Sequence, residues 1–303
     1  SVNYKYDDTH KLMEDTAGNI RYYGVSPNNY IYFNCSDYSN QTSSTCETWR
    51  IIGVFDGKVK IMRGSVIGKY SWDNKNVDTG EETAYGKNDW NTARLMKLLN
   101  PNNYYEVDSN DNGNGQSLYW NAQSGTCFSR ENNATTACDF TSTGLKNDTT
   151  RNLIAETTYY TRGHNDSEIF VDTMYDKERV SGTVVSATPA RTTSWTGKVA
   201  VAYPSDYGYA ADLSQCKQTL YNYDNSTCTA NNWMKNILAP NYGWLLTPFS
   251  DDAYNAWFVY SSGSVYSDLA YGAYGVAPVL SLSSELDIGP GSGTSSSPYQ
   301  LSV

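Results

Sequence analysis

Positive charge is scarce in this chain of 303 residues, in which 22 Lys and Arg stand against 32 Asp and Glu, for a net charge of −10. No cluster of basic residues occurs along the sequence. Because nucleic acids and anionic membrane surfaces are bound through clustered Lys and Arg, we expect neither as a partner of this segment. An acidic surface is instead typical of a soluble exported protein.

Long hydrophobic runs are also missing, and no stretch of about eighteen apolar residues could cross a bilayer. Residues 1–4 are mostly polar and show no signal-peptide pattern. We therefore expect that a targeting segment, an anchor or a pilin-like stem precedes this segment and has been removed from it.

Helix-forming Glu, Lys and Gln are few, whereas the chain has 27 Tyr and 8 Trp and is rich in Thr and Val. This composition favours strands and ordered loops over long helices. It predicts an α+β fold that is rich in strands and loops and has two short helices.

Strands are predicted where apolar residues alternate or run together between turn residues. The predicted strands cover residues 30–33, 48–55, 58–62, 244–248, 256–260, 263–266, 275–282 and 299–301. Asp56–Gly57 is expected to form a tight hairpin turn. A helix capped by Asn88 or Asp89 is predicted over 89–99, and a second one over 232–238.

Three segments have weaker patterns. Residues 1–30 are interpreted as an irregular lead-in, and residues 285–303 as a Gly/Ser-rich tail that is flexible until its last short strand. Residues 107–230 are interpreted as a long, insertion-rich region, with short strands at 169–171 and 198–203.

The six cysteines form three local couples of near-equal spacing: Cys35 with Cys46, Cys127 with Cys138, and Cys216 with Cys228. Fifteen pairings are possible for six cysteines, but this spacing favours local disulfides. Free thiols are the alternative, and structural zinc is disfavoured because no close Cys/His set occurs. Disulfides indicate an oxidising compartment and therefore export.

The block from Gly243 to Leu282 resembles the C-type-lectin-like core, in the branch related to the formylglycine-generating enzyme. The resemblance lies in the motifs Trp-Leu-Leu-Thr-Pro at 244–248, Asn-Ala-Trp-Phe-Val at 255–259 and Gly-Val-Ala-Pro-Val-Leu at 275–280. It implies one C-type-lectin-like domain over 1–303, from a bacterial or phage surface protein. The sequence departs from the family at Ala277, where relatives carry an arginine before the proline.

Many proteins of this branch are variable proteins of diversity-generating retroelements, in which adenine-encoded positions are replaced. Residues 249–284 contain no Lys, Arg, Glu, Gln, Met or His, as such replacement would leave. The resemblance thus implies a variable ligand-binding region within 243–284. The alternative is an ordinary hairpin in a protein already rich in Tyr, Ser and Gly.

The side chains of this region suit ligand contact, because Tyr offers a rigid amphipathic surface and Ser, Asp and Asn add adaptable hydrogen bonds. The candidate contact residues are Ser250, Asp251, Asp252, Tyr254, Asn255, Tyr260, Ser262, Tyr266, Asp268, Leu269, Tyr271 and Tyr274. By contrast, Trp244, Trp257, Val259 and Val265 are predicted to be core. Alternation should place Trp257 and Val259 on one strand face, and Phe258 and Tyr260 on the other.

Residues 108–113 match the start of a calcium loop, since Asp108, Asn110 and Asn112 place oxygen ligands at alternate positions ahead of Gly113. The twelfth position is Tyr119 rather than a bidentate Glu, which favours a solvated turn. No other cofactor is expected.

Catalysis is not predicted. His10 and His164 lie in polar surroundings with no GxSxG motif, and no cysteine follows Cys228. We expect a non-catalytic module that binds an extracellular protein or glycan. The alternatives are a structural pilus or surface-layer subunit, and a secreted carbohydrate-active enzyme whose paired carboxylates the sequence does not single out.

Overall fold

Short antiparallel strands dominate the computed structural model of the protein, which describes residues 2–74, 85–102, 104, 116–130, 136–180 and 191–303. The strands are β1 Lys5–Asp7, β2 Leu12–Glu14, β3 Ile20–Tyr22, β4 Tyr30–Phe33, β5 Glu47–Phe55, β6 Lys58–Arg63, β7 Lys69–Tyr70, β8 Ser124–Cys127, β9 Thr136–Asp139, β10 Thr157–Tyr160, β11 Ser194–Gly197, β12 Val199–Ala200, β13 Trp244–Pro248, β14 Asn255–Val259, β15 Val265–Leu269, β16 Tyr274–Gly275, β17 Val279–Ser281, β18 Asp287–Ile288 and β19 Leu301–Ser302. The helices are α1 Arg94–Leu99, α2 Asp148–Asn152, α3 Val171–Glu178, α4 Pro204–Tyr209, α5 Ser226–Thr229 and α6 Lys235–Leu238. The predominance of strands agrees with the composition, but the described residues contain six short α-helices rather than the two predicted.

The largest sheet has the order β1-β2-β3-β5-β6-β17-β12, and β4 pairs with β5 beside this path. Its long hairpin of β5 and β6 turns at Asp56–Gly57, where both residues have positive φ, 48° and 72°. Positive φ at both central residues is typical of a type I′ turn, and the predicted tight hairpin turn is confirmed. A second, three-stranded sheet has the order β13-β14-β15.

The large sheet is buried on both faces. Ile51, Ile61 and Leu280 pack into one hydrophobic cluster, while their chain neighbours Ile52 and Met62 pack into another. Successive strand residues point to opposite faces, so the sheet lies between the two clusters.

A charged cluster lies under the start of α4. The Asp206 carboxylate accepts hydrogen bonds from Lys60 Nζ at 2.6 Å and from Arg21 Nη1 at 2.9 Å. Arg21 Nε also donates to Asp15 at 2.7 Å. All four side chains are at least nine-tenths buried, so this cluster ties β3, β6 and the residue after β2 to α4.

The predicted disulfides are confirmed, since Cys35–Cys46, Cys127–Cys138 and Cys216–Cys228 are bonded. None of the helices within the described ranges has the length and apolarity that a bilayer crossing requires.

Removal of the Cys216–Cys228 bond by a double change to Ser is expected to lower the free energy of unfolding by about 3 kcal/mol, because the open chain gains loop entropy. Both sulfurs are buried beside α4 and α5. Urea unfolding measures the effect, and a loss below about 1 kcal/mol would contradict it. A reduced wild-type sample gives the loss for all three bonds together.

The expected irregular lead-in is wrong, because residues 1–30 contain β1, β2 and β3 of the large sheet. These strands have three residues each, too few for an alternation pattern to be read. The tail is ordered as well: the Tyr299 backbone exchanges hydrogen bonds with Tyr30 and Tyr32, and Leu301 is buried.

The region 107–230 contributes a strand to the large sheet, since β12 pairs with β17 at the edge of that sheet. The strand predicted at 169–171 is wrong, because Val171 begins α3. Val171, Met174 and Glu178 of that helix are buried, at helical spacing.

The helix predicted over 89–99 begins only at Arg94. Residues 89–92 form a turn instead, in which the Asp89 side chain accepts from the Asn91 backbone. The first helical amide, that of Arg94, donates to the buried Asp73 carboxylate at 3.1 Å, so a distant acid rather than the local sequence sets the start.

Candidate ligand-binding surface

The hairpin of β14 and β15 separates core residues from tyrosines. Val259 pairs with Val265 and Phe258 with Tyr266. Trp257, Val259 and Val265 are buried in one hydrophobic cluster, as predicted for the core face. Phe258 points the other way and packs into the second cluster, which confirms the predicted alternation.

Phe258 is covered by a group of tyrosine rings. Tyr274 lies 4.8 Å from the Phe258 ring between centroids, and Tyr242 lies 6.4 Å from it. Tyr260 contacts Tyr242 at 5.5 Å and Tyr266 at 5.3 Å. These distances are typical of packed aromatic pairs, so the rings support one another.

The group extends to Tyr221, whose ring meets that of Tyr266 at 5.1 Å. Tyr221 and Tyr260 are exposed by 36% and 40%, and the others are half-buried. We call the five residues the tyrosine surface: Tyr221, Tyr242, Tyr260, Tyr266 and Tyr274.

A second tyrosine group lies at the far end of the same hairpin. The Tyr85 ring meets Tyr254 at 5.6 Å and Tyr271 at 5.8 Å. The Ala270 amide donates to the Tyr254 carbonyl at 2.7 Å, so the strand pairing continues to this end. Tyr254 and Tyr260 are separated by an even number of residues, so their side chains point to the same face, about 20 Å apart along the strand.

Hydrogen bonds fix the hydroxyl groups of the tyrosine surface. The Tyr274 hydroxyl donates to the Asp268 carboxylate, and burial together with this bond raises the pKa of Tyr274. A hydrogen bond with Tyr221 raises the pKa of Tyr266. Both hydroxyls therefore remain protonated at neutral pH, and the single proton of Tyr274 is already donated to Asp268.

The surroundings of the tyrosine surface are acidic. A shallow cleft of about 310 Å³ adjoins it, lined by Asn165, Asp166, Ser167, Glu168, Tyr221, Trp257, Tyr266 and Ser267. Asp166 and Glu168 are exposed at its rim. Lys69 brings a cation to the surface, 5.7 Å from the Tyr242 ring.

Two of the predicted contact residues, Asp252 and Asn255, make hydrogen bonds within the loop before β14. The Asp252 carboxylate accepts from the backbone amides of Tyr254 and Asn255 at 2.9 and 2.7 Å, and from the Asn255 side chain at 2.6 Å. Asp252 and Asn255 therefore hold the loop, and their polar groups are already engaged within it.

Arg191 and Asn88 hold this loop in place through hydrogen bonds to its carbonyl groups. Arg191 Nη1 donates to the Asp252 carbonyl at 2.7 Å, and Nη2 to the Phe249 carbonyl at 3.1 Å. The Asn88 side-chain amide donates to the Asn255 carbonyl at 2.7 Å. The loop is thus a rigid border of the hairpin.

The remaining candidates are scattered. Asp251 is exposed and accepts from Asn165 at 2.7 Å, while Ser250 is half-buried and donates to Asp251 at 3.0 Å. Ser262 is exposed at the hairpin tip. Leu269 is half-buried and shares the strand parity of Val265, so it lies opposite the tyrosine face.

Three tyrosines of the two groups are not among the candidates predicted from the sequence: Tyr85, Tyr221 and Tyr242. Tyr85 and Tyr221 come from segments far from the hairpin in the chain, and Tyr242 stands just before β13. No local pattern distinguishes the three from the other tyrosines. Only the tertiary fold places them beside Tyr254, Tyr266 and Tyr260.

No group of three or more His, Cys, Asp or Glu that could hold a metal ion occurs among the described residues. The possible calcium ligands Asp108, Asn110 and Asn112 lie outside them. No protein-family model, no curated protein and no solved structure matches the chain. The functional assignment therefore depends on the geometry of the tyrosine surface.

Proposed function

We propose that this protein is a non-catalytic module that recognises an extracellular protein through the tyrosine surface. The observation that carries the proposal is the packing of Tyr242, Tyr260, Tyr266 and Tyr274 over Phe258, on a hairpin whose other face is buried. Such a hairpin is held rigidly by the core and presents its aromatic rings in fixed positions.

Fixed tyrosine rings are efficient binding groups. Tyr has few rotatable bonds, so little conformational entropy is lost on binding, and it offers both an apolar ring and a hydroxyl. Because ring contacts already restrain Tyr260 and Tyr266, these side chains lose less conformational entropy when a ligand binds.

The charge of the site favours a protein with basic groups over a neutral glycan. Asp166, Glu168 and Asp224 are exposed near Tyr221 and Tyr266. Acidic residues around aromatic anchors attract Lys and Arg of a partner and raise the association rate. Binding should therefore weaken as the salt concentration rises.

The proposal extends to class and location. The strand-rich fold and the motifs at 244–280 support a C-type-lectin-like protein, and the composition of 249–284 supports diversification by a retroelement. The three disulfides support an extracellular or cell-surface location, bacterial or phage.

A phage-displayed library of random peptides, selected on the immobilised protein, tests the tyrosine surface. We expect enriched peptides that carry Lys or Arg and bind the Tyr260→Ala variant about 30-fold more weakly, since a central tyrosine anchor contributes about 2 kcal/mol. Affinities of wild type and variant for the same synthetic peptide are measured by titration calorimetry.

Tyr160→Ala is the matched control, because Tyr160 is also 40% exposed but lies on β10, outside the tyrosine surface. Its affinity should equal that of the wild type. Peptides that bind both variants equally well, or a selection that enriches nothing, would contradict the proposed function.

A further inference from the structure

A second pocket, of about 670 Å³, lies between β4, β5, the end of β6 and α6, and shares no residue with the tyrosine surface. Its lining includes Val25, Tyr30, Glu47, Arg50, Arg63, Trp233, Asn236 and Ile237. Two arginines and one acid thus face the same cavity.

Arg63 and Glu47 neutralise each other. Arg63 Nε and Nη2 donate to the Glu47 carboxylate at 3.2 and 3.3 Å, and Trp49 Nε1 donates to it at 2.9 Å. Arg63 Nη1 donates a hydrogen bond to the Ser65 hydroxyl at 2.7 Å. This pair contributes no net charge to the pocket.

Arg50 is different, because no carboxylate of a described residue pairs with its guanidinium. It is 8% exposed, and its Nε donates to the neutral Asn29 side chain at 2.6 Å. Its Cζ lies 3.8 Å from the Tyr30 ring centroid and 5.0 Å from that of Trp233. The aromatic rings therefore hold the guanidinium plane, and cation–π attraction stabilises it.

The buried arginines Arg21 and Arg94, by contrast, have carboxylate partners. Arg21 binds Asp15 and Asp206, and Arg94 binds Asp73. Burial lowers the pKa of Arg50 to about 10, against the opposing effect of Tyr30, so Arg50 still carries its charge at neutral pH. An uncompensated buried charge is costly, and a bound anion would remove that cost.

We propose that this pocket binds a small carboxylate ligand, with Arg50 as the residue that receives the carboxylate. A guanidinium forms two parallel hydrogen bonds with a carboxylate, and Nη1 and Nη2 of Arg50 have no carboxylate among the described residues. One uncompensated positive charge matches one negative charge better than it matches a dianionic phosphate. Val25 and Ile237 add apolar lining, so the ligand has an apolar body next to its carboxylate.

The indole N–H of Trp233, which donates to the Tyr22 carbonyl at 3.1 Å, reports on the pocket in ¹H–¹⁵N spectra of the full chain. Its resonance is assigned with a Trp233→Phe variant. Titration with sodium acetate, at constant ionic strength and pH 7, should give a saturable shift. Acetamide, which lacks the charge, and inorganic phosphate should shift it at least tenfold less. N-Acetylalanine should bind more tightly than glucuronate, which has a polyhydroxylated body.

Arg50→Met should weaken acetate binding at least tenfold, and the remaining indole signals report whether that variant is folded. Asn236→Asp provides a second test, because Asn236 is exposed at the pocket and its replacement leaves the core intact. An added negative charge should weaken acetate binding about fivefold. Asn3→Asp makes the same change at an exposed residue outside the pocket and should have no effect.

Five results would overturn the proposal. The Trp233 signal could fail to shift with acetate, shift equally with acetamide, or shift more strongly with phosphate. Acetate binding that is unchanged in Asn236→Asp would place the ligand elsewhere. Tighter binding of glucuronate would exclude the apolar body.

Discussion

Replacement of Asp206 by Asn is expected to lower the free energy of unfolding by about 3–5 kcal/mol, because it leaves the buried cations Lys60 and Arg21 short of a partner. Lys60 Nζ and Arg21 Nη1 both donate to this carboxylate. Asp206 also accepts from the Tyr203 amide at the start of α4. Urea unfolding of the two proteins at pH 7 measures the loss.

Asp148→Asn is the matched control for this change. Asp148 pairs with Arg151 at 2.9 Å, but its side chain is 92% exposed. An exposed ion pair contributes little, so the control should lose less than about 1 kcal/mol. Equal losses for the two variants would show that the buried cluster contributes no more to stability than an exposed ion pair.

The effect of Asp206 should depend on pH in a defined direction. Burial raises the pKa of this carboxyl, but Lys60 and Arg21 lower it more, to about 2. Because the pKa in the folded state lies below the ordinary value of 3.8, the carboxylate stabilises the fold above about pH 4, and this stabilisation is lost as the pH falls towards 2. The difference in the free energy of unfolding between the wild type and Asp206→Asn should thus be constant from pH 7 to about pH 4.5. Below pH 4.5 this difference should become smaller. A difference that widens on acidification would contradict this reasoning.

The change Arg191→Met is expected to destabilise the fold by about 3 kcal/mol, since buried acceptors left without a donor cost about 1–3 kcal/mol each. Arg191 is 3% exposed and donates to the carbonyls of Phe249, Ser250 and Asp252. It also donates to the Asn88 side chain, which itself binds the loop. Urea unfolding gives the magnitude.

Hydrogen exchange locates the effect of Arg191→Met. The amides of Tyr254 and Asn255, which donate to Asp252 in the wild type, should exchange faster in the variant, while those of β6 should change only with global stability. Arg162→Met, a change at a half-buried arginine near His164, is the control. Unchanged exchange at Tyr254 and Asn255 would show that Arg191 does not hold the loop.

Sequence patterns predicted the features that depend on near neighbours. The positive φ angles of Asp56 and Gly57, the local cysteine pairs and the opposite orientation of Trp257 and Phe258 follow from residues a few positions apart. In each case the backbone geometry or the short spacing limits the alternatives. Among the candidate tyrosines, strand alternation assigns Tyr260 to the face opposite Trp257 and Val259.

Long-range contacts decided what the sequence could not. The carbonyls of Asp252 and Asn255 accept hydrogen bonds from Arg191 and Asn88, which lie 103 residues apart in the chain. No periodic pattern encodes such a pairing, because buried hydrogen bonds depend on which segments the core brings together. For the same reason, Tyr85, Tyr221 and Tyr242 joined the hairpin tyrosines only in the folded protein.

By itself, then, the sequence determined an acidic, strand-rich, disulfide-bonded protein with a hairpin that carries tyrosines near its carboxyl end. The tertiary structure decided which of those tyrosines share a surface, and that Arg50 is buried between Tyr30 and Trp233 without a carboxylate partner among the described residues. The physical reason is that charge, spacing and alternation are properties of the chain, whereas burial and pairing arise only when distant segments pack together.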